Sequence, residues 1–128
     1  MENRFLFRGN IDGEWHIGFL DYEEDGTPLI NEPYKNGMRN GYEVDAETIG
    51  QCTGLKDKNG VLIFEGDVLK NNRNGFESIV VVNYDLGLLG YDFRNHKNQR
   101  EHYVSSSVEQ NYNLEIIGNI HDNPEMLK

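Results

Sequence analysis

The chain is poor in the residues that would give it a covalent, membrane-spanning or polycationic character. It holds one cysteine among 128 residues, so no disulfide can form within it, and a reducing cytoplasm is the expected compartment. Cys52 stands in "TIGQCTG" with no basic neighbour to lower its pKa, and it reads as a small core residue, not a reactive thiol. No run approaches the roughly 18 apolar residues of a membrane span. "MENRFLFRGN" has an acid, two arginines and no long apolar stretch, so no signal peptide is expected and a membrane is excluded as a partner. Positive charge is also scarce. Twelve Lys and Arg face 22 Asp and Glu, for a net charge of −10, which favours solubility and repels phosphate backbones.

The acids are not evenly spread. Residues 12 to 47 hold ten of them (Asp12, Glu14, Asp21, Glu23, Glu24, Asp25, Glu32, Glu43, Asp45 and Glu47) against Lys35 and Arg39. The plain reading is a solvated acidic edge. Long helical periodicity is missing too, and alternation with period two dominates. "RFLFR" reads as a strand, "GNIDG" as a turn, and "EWHIGFLDY" as the returning strand. Trp15, Ile17 and Phe19 share one of its faces, which leaves His16 to point outward. From Glu23 to Gly41 the abundance of Gly, Pro and Asn predicts a loop.

Order resumes at "VDAETIGQCTG", where Asp45 is placed to cap a helical turn over Ala46 to Thr48. A strand from Ile49 to Leu55 enters "LKDKNGVLIFEGDVL", whose acids invite a catalytic reading. Asn59-Gly60 and Gly66-Asp67 are better explained as reversals, with glycine taking the positive φ and Asp67 accepting a backbone N–H. Val61 to Phe64, apolar on both faces, reads as a strand covered from two sides. "FESIVVVNY", Tyr91 to Phe93, His102 to Ser105 and "NLEIIGNIH" are further strands. Pro124, preceded by the candidate cap Asn123, opens a terminal turn. The fold class is therefore mainly β, a small SH3-like or partly open β-barrel with an N-terminal β-hairpin extension and short helical turns. Residues 1–43 are expected to be N-terminal strands and an acidic loop packed on a barrel core of residues 44–128.

"VDAETIGQCTGLKDKNGVLIFEGDVLK" (Val44 to Lys70) and "LEIIGNIHDNPEML" (Leu114 to Leu127), with "RFLFRG" near the start, resemble the YopX family of phage and prophage proteins. The resemblance rests on an IGQ-x-TGLKDKNG-x-x-I-x-EGD stretch and an IGNI-x-x-NPE-L ending. Ala46, Cys52 and His121 depart from it at capping or packing positions. It implies a mainly β protein with a compact barrel-like part, found in phages and in prophages of low-GC Gram-positive bacteria, with no established biochemical activity.

Each chemical constellation has a simpler explanation. Asp21, Glu23, Asp25, Gly26 and Glu32 fall at positions 1, 3, 5, 6 and 12 of an EF-hand loop. Pro28 and the absence of flanking helices point instead to an acidic Asp-Gly reversal, and calcium binding by Asp21–Glu32 stays open. His96 and His102 lack the company a zinc site needs. Ser105 to Ser107 lie in no nucleophile elbow. "YDFRNHKNQREHY" interleaves Arg94, Lys97 and Arg100 with Tyr91, Phe93 and Tyr103, the mixture that single-strand binders use. No catalytic, cofactor-binding or metal residue is assigned. The expectation is a non-enzymatic accessory protein without cofactor, acting through protein–protein contact with an unknown protein partner or as a homo-oligomer. A nucleic-acid-binding small barrel that uses the loop 91–103 is the alternative reading, and the net charge disfavours it.

Overall fold

A computed structural model describes residues 5–35, 38–73, 76–85, 90–94, 100–103 and 113–127. It is mainly β, built of two antiparallel sheets, neither of which closes into a barrel. The chain divides into two compact units, Met1–Cys52 and Thr53–Lys128.

In the first unit, β1 (Phe7–Ile11), β2 (Glu14–Tyr22), β3 (Pro28–Lys35) and β4 (Met38–Glu43) pair in sequence order. The opening residues of β5 (Gly50–Lys56) add beside β1, with Phe7 opposite Gln51 and Arg8 opposite Gly50. The β1–β2 reversal falls inside the expected "GNIDG" turn but is tighter, confined to Asp12 and Gly13 between strands. Asp12 and Gly13 both take positive φ, 53° and 85°, the pairing whose twist suits a two-residue hairpin. The Gly13 N–H donates to Asn10 Oδ1 at 3.1 Å.

The stretch expected to be a loop from Glu23 to Gly41 holds a hairpin instead, β3 and β4. Its prolines sit where a strand tolerates them. Pro28 opens β3, and there only its carbonyl is needed, to accept the Val44 N–H at 3.2 Å. Pro33 falls where the β3–β4 register shifts, between Glu32 and Lys35. A single turn of 3₁₀ helix, Ala46–Thr48, follows where expected. Asp45 makes no side-chain cap there; its carbonyl takes the Thr48 N–H at 3.0 Å and the Thr48 hydroxyl at 2.6 Å.

The second unit contains the end of β5, then β6 (Leu62–Phe64), β7 (Asp67–Arg73), β8 (Phe76–Asp85), β9 (Gly90–Arg94), β10 (Arg100–Tyr103) and β11 (Asn113–Asn119). Five of these form a sheet in the order β10-β9-β8-β7-β11. Ile63, Leu69, Val80, Val82 and Leu114 form its buried core, with Leu55 and Ile116 against them. Val80 and Val82 face inward while Ile79 is exposed, the alternation of a strand with one buried face. A closing 3₁₀ turn, Pro124–Leu127, stands where Pro124 predicted it, although Asn123 turns its side-chain oxygen back to the Asn119 N–H at 3.3 Å.

The sheet stays open because the outer edge of β11 is already occupied. Leu114 O accepts the Lys58 N–H at 2.8 Å, and the Ile116 N–H donates to Asp57 Oδ2 at 3.1 Å. The turn between β5 and β6 thereby takes the hydrogen bonds that a closing strand would need.

Candidate functional site

Two acids of the β5–β7 segment, Asp57 and Asp67, hold turns. Asp57 Oδ1 accepts the N–H groups of Asn59 and Val61 at 2.9 and 3.0 Å, holding a turn in which Gly60 takes φ 81°. Its other oxygen reaches β11. Burial pushes the Asp57 carboxyl up, but the N–H groups of Val61, Ile116 and Asn59 and the charge of Lys58 outweigh this and hold it below the ordinary value. Asp67, almost fully buried, accepts the Phe64 N–H at 2.7 Å across the turn where Gly66 takes φ 93°. Cys52 is fully buried.

The EF-hand-like spacing is folded into a hairpin whose strands separate its ends. Asp21 stands opposite Leu29, and Leu20 opposite Ile30. Asp21 therefore lies on one face of the sheet and Glu32, two residues from Ile30, on the other. Between them Gly26 reverses the chain at φ 91°, and Asp25 Oδ1 accepts the Thr27 N–H at 2.9 Å. Hydrogen bonds from Thr27 hold the Asp25 carboxyl low. Among the described residues, no group of three or more His, Cys, Asp or Glu is placed to hold a metal ion.

Residues 95–99 and 104–112 lie outside the described residues, and with them His96, Lys97 and the three serines. For Arg94, Arg100, His102 and Tyr103 the backbone register of β9 and β10 is defined, with Arg100 opposite Arg94 and His102 opposite Phe93.

The first unit corrects the reading of β2. Trp15, Ile17 and Phe19 do share a face, but it is the exposed one; Ile17 is 43% and Phe19 54% exposed. His16 points inward and is buried. Its Nδ1 lies 3.3 Å from Glu32 Oε2, and its ring stacks on Tyr42 at 3.9 Å between centroids, 13° from parallel. Alternation alone cannot say which parity is buried. Of the partners that decide it, Glu32 lies in the stretch expected to be a loop and Tyr42 one residue beyond it.

Gly18 sits between Ile17 and Phe19, and a Cβ there would meet Asn31 O at 2.1 Å. The close approach of β3 at this point explains the glycine. On the outer face the Arg8 guanidinium lies over the Trp15 ring, 4.8 Å from its centroid, a cation–π contact. Asp21 continues the row beyond Phe19, with Leu29 and then Glu43 across the neighbouring strands. Partial desolvation, the charges of Glu43 and Asp25, and a hydrogen bond with Glu43 push the exposed Glu23 carboxyl up.

Open antiparallel sheets, turn-forming carboxylates and an apolar strand face turned to solvent define a small mainly β protein. The chain belongs to the YopX family, whose model, described as YopX protein, matches residues 16–128. The chain is also similar to a solved structure, described as the crystal structure of protein EF1440 from Enterococcus faecalis. The two are 25% identical with a TM-score of 0.57, over 95% of this chain and 96% of that one. No curated protein matches. None of the described helices is long and apolar enough to cross a membrane.

Proposed function

We propose that this YopX-family chain is a non-enzymatic accessory protein of a phage or prophage that works by contact with another protein. The accessory role is what the family resemblance implies. The contact role rests chiefly on one observation: β2 is turned inside out, with a histidine in the interior and Ile17 and Phe19 in water. Leaving an Ile or a Phe about half exposed forgoes about half of the roughly 1.5–3 kcal/mol that full burial contributes. Single exposed apolar residues are common on monomers. Two on successive outward positions of one strand, next to Trp15, make a contiguous patch of the kind partners cover.

The test is affinity capture of the tagged full chain from infected or lysogenic cells after cross-linking, with Phe19→Thr as the paired variant. A host or phage protein held by the parent chain and released by the variant supports the reading. Recovery of nothing, or of the same proteins on an unrelated acidic bait, overturns it, as would turnover of a substrate by the purified chain.

A further inference from the structure

The outer face of β2 has a shape and a charge pattern that narrow what can bind it. Phe19 stands opposite Asn31, and Asn31 opposite Gly41. A Cβ on Gly41 would come within 2.8 Å of Asn31 Oδ1. Across β3 and β4, then, the neighbours of Phe19 are a short polar side chain and a glycine, a low shelf beside an exposed ring. One row further along, the same face carries Asp21 at one side and Glu43 at the other. Glu23 lies close enough to Glu43 for the two carboxylates to act on each other's charge.

We infer that this face docks a basic protein segment, whose apolar side chains seat on Ile17 and Phe19 while its lysines or arginines meet Asp21, Glu23 and Glu43. The inference deepens the contact reading above and rests on it. Charge complementarity selects the occupant. Partial desolvation and, after it, the like charges of Glu43 and Asp25 push the Glu23 carboxyl up, and a partner's cation would offset the part due to charge. A second copy brings the same carboxylates and its own net charge of −10, so pairing this face with itself adds repulsion. A nucleic acid presents phosphates to the same acids. Trp15 already carries the chain's own Arg8, which leaves the neighbouring Ile17 and Phe19 for the partner's apolar groups.

The experiment titrates the full chain into a fluorescein-labelled peptide of alternating lysine and leucine and reads anisotropy. Peptides of alternating lysine and serine, and of alternating glutamate and leucine, are the controls. The lysine–leucine peptide should bind, more weakly at about 0.15 M salt than at low salt. Ile17→Thr and Phe19→Thr should each weaken it roughly tenfold, the loss expected for a central apolar anchor. Glu23→Gln with Glu43→Gln should flatten the salt dependence. Val61→Thr, at an exposed apolar residue of the second unit, should change nothing, and circular dichroism checks that every variant is folded.

Equal binding of the lysine–serine or glutamate–leucine peptide, or indifference to Phe19→Thr, overturns the inference. Sedimentation showing a dimer that Phe19→Thr dissociates assigns the face to a second copy and also overturns it. The two failures are separable. A cellular partner held equally by the parent and by Phe19→Thr leaves the contact reading standing without this surface, whereas no cellular partner and no peptide binding remove both.

Discussion

His16 and Asp57 show how a single polar side chain can hold β structure together from opposite kinds of position. His16 is a mid-strand residue stacked on Tyr42 and bonded to Glu32. His16→Ala removes the stack and leaves Glu32 without that partner, and it should lower unfolding free energy by about 2–3 kcal/mol. Tyr42→Phe keeps the ring and should cost less than about 1 kcal/mol; urea unfolding of both variants checks the pair. Asp57 is a turn residue whose carboxylate takes three backbone N–H groups. Its folded-state pKa lies below the ordinary 3.8. The stability it contributes is therefore full above that ordinary value and is lost as pH falls through the lower folded-state value. Asp57→Asn should be less stable than the parent at neutral pH, and the gap should narrow on acidification. Urea midpoints measured across that acidic window give the answer. Asp57 and Asp67 were legible as turn residues because glycine follows or precedes each within the reversal. The burial of His16 was not legible, since its partners are 16 and 26 residues away.

At the scale of elements, the β3–β4 hairpin carries the main lesson. Pro28, Pro33, Asn31 and Gly41 lower the β propensity of that stretch, yet each has a place in the ladder. Pro28 supplies only a carbonyl, Pro33 coincides with a register shift, and Gly41 leaves room for Asn31. These are tertiary reasons, invisible to local propensity. Strands with strong alternation, β2 and β8 above all, and the turns at Asp12-Gly13, Gly60 and Gly66 needed no such context. The barrel-like expectation met a local obstacle of the same kind, because Asp57 and Lys58 take the edge of β11. Gly18→Ala tests the close approach of β2 to β3. Its Cβ would collide with a backbone carbonyl, which cannot swing aside as a side chain can. The variant should lose about 1–3 kcal/mol. Hydrogen exchange should speed up first at the amides of β3, while those of β7 and β8 keep their protection.

On the scale of the whole molecule, charge and exposed apolar surface have to be considered together. Residues 12–47 hold ten of the 22 acids, all within the first unit, and the outward face of β2 lies among them. A chain selected only for its own stability would not crowd Glu23, Glu43 and Asp25 at one end of a sheet. Like charges there disfavour the folded state, and they add to partial desolvation in raising the Glu23 pKa. The double variant Glu23→Gln, Glu43→Gln should therefore melt no lower than the parent, and higher at low salt, where repulsion is least screened. The same variant should bind the lysine–leucine peptide more weakly. Opposite movement of stability and affinity is what a surface shaped for a basic partner predicts, because charges that serve recognition are strained until the partner arrives. A thermal melt at low salt, run on the samples used for the anisotropy titration, decides the matter. If the variant both melts lower and binds less, the carboxylates support the fold of β2–β4 rather than recognition.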